Sequence, residues 1–406
     1  MRAMSIVERR TAIERAISPA EVRAANELAR RWFASRPRPP AAAAGLGVWP
    51  LLTTLATGAS GETRDELLDA AGIGPDRADS ITGALLAAAR TVPSIRLALG
   101  VWAGSEIALD PDWIAKLPAN AIGTLTGEPD ADKATLDLWA SEETDGMIER
   151  MPLDLTQRID LVLASALMVR TKWVTEFRDA AVPFRSGPWA GLGPCRVLSN
   201  TIHDDVLRVS EEAAVLTVPG HDGIDVLLGL GRDGLAPGEV MSTLFEAAGD
   251  RAWGRSSADM AVGEEAPGVT VSESRSSKPQ TTPEVNVRTV RFSVSADLDL
   301  SEDAAALGLE YACDEDRAEF DRLAAEPTYV SQARQRCVAA FSATGFEAAA
   351  VTAMAMARMG GVAMKTVHWH REASIDFDRP FAYLARHRPS GLILVGGWVD
   401  EPERAV

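Results

Sequence analysis

The sequence predicts an α+β fold built around one large sheet, mixed or antiparallel. Three observations predict it. Helix-like and strand-like periodicities are interspersed without the βαβα rhythm of a doubly wound sheet. Residues 159–169 form a long apolar run interrupted only by Asp160 and Ser165. Its Val and Ile content reads as a central strand buried on both faces rather than a core helix. The chain closes on a hairpin, 381–386 against 392–399, turning across Arg388-Pro389-Ser390-Gly391.

The elements follow in order. Residues 1–15 are charged throughout and contain no apolar signal core, so 1–17 reads as an N-terminal tail and the protein as cytoplasmic. Ser18-Pro19-Ala20-Glu21 is a capping box with proline at the first helical position. Val22, Ala25, Leu28, Ala29 and Trp32 then recur at helical spacing. A second helix is expected over 47–57, ended by Gly58, and a third over 62–71 with Thr63 as cap. Alternation of Ile95, Leu97, Leu99 and Val101 marks a strand. Helical patterns return at 110–117 and 131–151, the latter with Leu138, Trp139 and Ile148 on its apolar face. Two alternating runs in 212–230 flank His221-Asp222-Gly223, a hairpin turn. Residues 255–285, rich in Ser, Glu, Pro and Gly, read as a mobile insertion. Residues 287–300 are strand-like again.

Composition narrows the function. The 406 residues are 46% hydrophobic, enough for a large core, and carry a net charge of −17. That charge repels phosphate backbones and argues against nucleic-acid binding. No stretch of about eighteen apolar residues suggests a membrane span. Cys195, Cys313 and Cys337 are scattered, as expected of buried thiols in a reducing compartment. His368 and His370 are two apart but lack acidic or cysteine companions, so they read as exposed loop and no metal or cofactor is expected. Dinucleotide, phosphate-loop and nucleophile-elbow motifs are absent, as are internal repeats.

One segment fits none of these elements. Residues 345–361 are almost all small, without proline or turn chemistry; local propensity alone makes them a helix. Their surroundings point elsewhere. The closing run from Phe377-Asp378-Arg379-Pro380-Phe381 to Pro402 resembles the C-terminal signature of the serpins. So do Glu326-Pro327-Thr328-Tyr329-Val330-Ser331, the run from Leu138-Trp139 to Ile148, the run from Leu163 to Trp173 with Phe177 after it, and Gly58-Ala59-Ser60-Gly61-Glu62-Thr63. These blocks keep the family's order from about residue 18 to 402.

The resemblance implies a single domain over 18–403 with a large central mixed sheet, two smaller sheets, eight or nine helices and an exposed reactive-centre loop at 345–371. It implies a monomeric suicide-substrate inhibitor rather than an enzyme. A serine protease attacks the loop, and the cleaved loop enters the central sheet as a new strand. The hinge is then Gly345, Phe346, Glu347, Ala348, Ala349, Ala350, Val351 and Thr352. Alternation sets Phe346, Ala348, Ala350 and Thr352 toward the core. The family's spacing puts the scissile bond at Met359–Gly360, for a chymotrypsin- or elastase-like protease. Slippage by one makes Arg358 the specificity residue and the target trypsin-like; Lys365 is a third position.

The chain departs from the family where the sheet must open. Phe346 stands where Thr or Ser is usual, and it either overpacks the sheet or fills a roomy site. Ala44 and Gly47 replace serines, Ser165 an asparagine, Gln335 a histidine and Ala343 an acidic residue. These departures motivate an alternative function, a non-inhibitory scaffold that binds a ligand or serves as an enzyme of a small-molecule pathway.

Overall fold

The computed structural model describes residues 11–117, 121–276, 279–346 and 368–405. Nine α-helices and three sheets are present among them. The helices are α1 (Ala12–Ala16), α2 (Pro19–Ser35), α3 (Gly45–Gly58), α4 (Gly61–Ala71), α5 (Pro75–Ala89), α6 (Pro111–Ile114), α7 (Pro129–Glu143), α8 (Pro237–Gly249) and α9 (Ala304–Leu307).

The large sheet runs β2 (Ile122–Thr124), β1 (Ile95–Ala103), β3 (Leu161–Val169), β15 (Val330–Phe341), β16 (Gly345–Phe346), β4 (Thr171–Lys172), with β14 (Phe292–Asp299) also on β15. The second sheet runs β10 (Arg255–Ser256), β7 (Leu207–Val209), β8 (Ala213–Pro219), β9 (Ile224–Gly231), β18 (Phe381–His387), β19 (Leu392–Val399). The third runs β11 (Glu265–Ala266), β12 (Val269–Ser276), β17 (His368–Asp376), β13 (Glu284–Val290), β6 (Pro194–Ile202), β5 (Arg178–Pro183).

β3 is buried at every position, which explains its uninterrupted apolar run. Leu161, Leu163, Leu167 and Val169 face the main core with α3. Val162, Ala164 and Ala166 face a smaller cluster under α7, with Leu136, Ala140 and Trp102. α3 is buried all round, so the main core is wrapped about it.

Several expectations change. Residues 255–285 are not a loose insertion: β10, β11, β12 and the first residues of β13 lie there. Val269 and Val271 turn inward, and β12 pairs with β17 over its whole length. The tail is shorter than expected, because Thr11 and Glu14 form a capping box on α1 and Ile13 and Ile17 enter the core. α7 stops at Glu143, ahead of Asp145 and Gly146 at positive φ. It turns Leu136 and Ala140 to the sheet and leaves Leu138 exposed, since 132, 136 and 140 share the face. Thr63 accepts the Glu319 N–H instead of capping α4. The run 287–300 is two strands in different sheets, joined by Arg291 alone. His368 and His370 begin β17 rather than lying in a loop. No helix among the described residues is long and apolar enough to cross a membrane.

Candidate functional site

In the large sheet, β3 and β15 are paired in parallel, from Val330 on Leu161 to Cys337 on Leu167. Their outer neighbours, β1 and β14, are both antiparallel to them. Parallel ladders are slightly the weaker per residue. This joint is therefore a seam, and a strand running opposite to both β3 and β15 would fit between them.

Halfway along, one side chain bridges the seam to the helix behind it. Gln335 Oε1 accepts the Ala44 N–H at 2.8 Å, and its Nε2 donates to Ala44 O and to Ser165 Oγ, both at 3.0 Å. All three residues are buried. A Cβ on Gly47 would lie 2.7 Å from Gln335 Nε2 and 2.9 Å from Ser165 Oγ, so the glycine makes room for this bridge. The residues that depart from the family pattern thus close the seam with a network of their own.

At the upper end the chain reverses tightly. Ser342 holds the turn: its Oγ donates to Gly345 O at 3.0 Å and accepts the Gly345 N–H at 3.2 Å. Trp173 pins the turn from outside, its indole N–H on Ser342 O at 2.9 Å and its backbone N–H on Thr344 O at 3.0 Å. The chain then enters β16 between β15 and β4, antiparallel to both: Phe346 pairs with Phe341 and Thr171, and Gly345 with Lys172. A Cβ on Gly345 would collide with the Thr171 carbonyl, so only glycine passes here. The Phe346 ring is 1% exposed, 6.1 Å from Tyr383, in an aromatic cluster with Phe341, Phe292 and Trp173. It fills a site and does not overpack one.

The family model for Serpin (serine protease inhibitor) matches residues 22–184 and 266–402. The chain belongs to the serpin family. It is 24% identical to serpin-Z6C of Oryza sativa subsp. japonica over 88% of this chain and 89% of the rice protein. Human thyroxine-binding globulin shares the fold with a TM-score of 0.70 at 15% identity, over 96% of this chain and 100% of that one. Tengpin, a thermophilic serpin in its native state, does so with a TM-score of 0.69 at 15% identity, over 95% of each.

Of the residues expected as the hinge, Gly345 and Phe346 form β16. Both ends of the expected 345–371 loop are strand, since residues 368–371 belong to β17. Glu347, Ala348, Ala349, Ala350, Val351, Thr352, Arg358, Met359 and Gly360 lie outside the described residues. Sequence reasoning missed Ser342 as the turn holder, although Ser-x-Thr-Gly carries a turn signature. It also missed Thr171 and Lys172, which show as partners of β16 only in the pairing.

The thiols take no part in the site. Burial pushes Cys337 and Cys313 up to about 12, so neither is a nucleophile at neutral pH. Among the described residues no cluster of His, Cys, Asp or Glu is arranged to hold a metal ion.

Proposed function

We propose that this serpin inhibits serine proteases as a suicide substrate. The supporting observation is the register at the mouth of the seam. Phe346 already pairs with Thr171 and Phe341, and residues of β3 and β15 are themselves matched with the same offset, Ser165 on Gln335 and Leu167 on Cys337. Continuing β16 therefore needs no slip. Each further residue meets the next pair down the seam: Glu347 meets Arg170 and Ala340, Ala348 meets Val169 and Ala339, Ala350 meets Leu167 and Cys337, and Thr352 meets Ser165 and Gln335.

The chemistry of the hinge suits those partners. Ala348 and Ala350 take core-facing positions, where small side chains pass between opening strands. Thr352 is the first polar residue after Phe346 on the core face, and it falls on the buried Ser165–Gln335 pair, where its hydroxyl replaces the hydrogen bond it breaks. Glu347 takes the opposite face, beside the partly exposed Arg170. The segment contains no proline, so every N–H is available to the two new ladders. One parallel ladder becomes two antiparallel ones.

In the reaction, the protease serine Oγ attacks the Met359 carbonyl carbon. The bond to Gly360 breaks, and the new amine leaves with a proton from the protease histidine. The acyl-enzyme ester remains on Met359. Insertion of 347–356 then carries the ester, with its protease, away from the mouth before water hydrolyses it. Met359 suits a chymotrypsin- or elastase-like pocket; Arg358 in its place suits a trypsin-like one. Incubation with chymotrypsin, elastase and trypsin, read on a denaturing gel, is expected to give a covalent complex with one of them. Clean cleavage by all three with no complex refutes the proposal.

A further inference from the structure

A cavity of about 440 Å³ lies away from the seam, on the face of the second sheet that carries α8. The sequence sets its shape. On β9, Gly229 and Gly231 let α8 lie close, since a Cβ there would come within 3.2 Å of Leu244 and 2.5 Å of Val240. Toward Leu227 and Asp225 the side chains return, and α8 ends at Gly249. The chain then crosses the sheet to β10, which pairs with β7. Residues 250–254 thus form a strap over the strands, with Trp253 lining the space. The floor is made of cross-strand neighbours: Arg208 on Val215, Thr217 on Leu227, and Val206 beside Thr217. Helix α2 packs on α8 from the β19 side, through Phe33 on Phe245, and lines none of the cavity.

One end of this cavity is a preformed cationic site. Pro219, Asp225 and Arg386 meet there across three strands. The Asp225 side chain is 4% exposed and is shared by two arginines. Arg388 donates from Nε and Nη2 to its Oδ1 at 2.8 and 2.6 Å, and Arg386 donates from Nη2 to its Oδ2 at 3.4 Å. Further bonds fix both guanidinium planes, Arg388 Nη2 on Gly220 O at 2.8 Å and Arg386 Nη1 on Ala248 O at 2.9 Å. One carboxylate therefore faces two guanidiniums, and a positive charge is left over. Arg388 stays 40% exposed, and its Nη1 has no acceptor among the described residues. Arg251, exposed on the strap, adds a cation that also lacks one there, whereas Asp250 turns back to accept the Ala252 N–H at 2.8 Å. Toward β7 the sign reverses, with Asp204 and Asp205 against Arg208 alone.

We propose that this cavity binds a small monocarboxylate with an apolar body. The carboxylate takes the open edge of Arg388 together with Arg251, because a guanidinium fork held in place by a buried acid is preorganised for a second carboxylate. The body lies over Val206, Thr217 and Leu227, against Trp253. Asp204 and Asp205 repel a second negative charge at the far end, which disfavours dicarboxylates. The cavity is of the size that small-molecule sites have. The site is independent of strand uptake, and neither reading depends on the other.

The test is calorimetric titration of the full-length protein with 3-phenylpropionate. The matched probes 3-phenylpropan-1-ol and 3-phenylpropylamine remove the charge and reverse it. The acid is expected to saturate one site with a Kd of about 1 mM or below, the alcohol to bind at least tenfold more weakly, and the amine not to bind. Arg388→Gln, in which Arg386 still neutralises Asp225, is expected to weaken the acid at least tenfold and leave the alcohol unchanged. Thr217→Trp fills the cavity and is expected to remove both. Should Thr217→Trp fail to fold, the probe series and Arg388→Gln still decide. Equal affinity for acid and alcohol, an acid affinity unchanged in Arg388→Gln, or no saturation at ten times the expected Kd overturns the proposal. Asp225 and its arginines would then be only a tie between β9, β18 and the end of α8.

Discussion

At the scale of single residues, three positions bear on the seam, and each makes a distinct prediction. Phe346 is a packed ring, so Phe346→Ala leaves a cavity and is expected to cost about 3 kcal/mol in denaturant unfolding. An overpacked ring would instead give no loss or a gain on truncation. Gln335→Ala strands the buried Ala44 N–H, while the Ala44 C=O keeps the Gly47 N–H, and is expected to destabilise the native protein by about 1–3 kcal/mol, read from the same unfolding curves. Gly345→Val cannot sit beside the Thr171 carbonyl, so β16 must leave its slot. Its expected effect is on partitioning: more cleaved product and less covalent complex per protease, since each ~1.4 kcal/mol of added insertion barrier slows uptake tenfold. Phe346 also shows where sequence reading stopped. Its identity was visible, but the sign of its effect depended on the space beside Tyr383, which only packing reveals.

At the scale of elements, the strands with clean signals were legible. β1, β3, the β8–β9 hairpin and the β18–β19 hairpin follow from alternation, apolar runs and turn residues. β12 did not, because its outward positions are Thr, Ser, Glu and Arg, and its partner β17 is almost 100 residues away in sequence. Short-range composition cannot report such a pairing. α7 kept its helix, and Trp139 and Ile148 pack against the core as expected, but Leu136 and Ala140 take the buried positions in place of Leu138.

β18 carries a pH dependence. His387 is 2% exposed, with Nδ1 2.7 Å from Ser390 Oγ, and burial lowers it to about 4 from an ordinary 6.5. The folded protein thus binds a proton there less readily than the unfolded chain. As pH falls from 6.5 to about 4 the unfolded state gains protons first, and stability drops by roughly 3 kcal/mol from this group. Below about 4 both states are protonated and this loss levels off. Unfolding curves at several pH values should show that His387→Gln flattens this part of the profile.

At the scale of the whole molecule, the fold is a closed sheet that, on the proposed function, takes up one more strand. The seam is parallel and bridged by Gln335, and its mouth is occupied by Gly345 and Phe346. The family and the general architecture were legible from motif order along nearly the whole chain. The state of the sheet was not, because whether β3 touches β15 is a pairing between residues about 170 apart. The central claim is that the seam accepts the cleaved hinge in the register that Phe346 sets. The most direct measurement is the melting temperature of the intact protein against that of the same protein nicked within 354–361. The account predicts an upward shift of order 10 °C on nicking, the size expected of a gain of several kcal/mol, and loss of that shift in Thr352→Arg, which would place a charge on Ser165 and Gln335. A nicked protein that melts at or below the temperature of the intact one would contradict it.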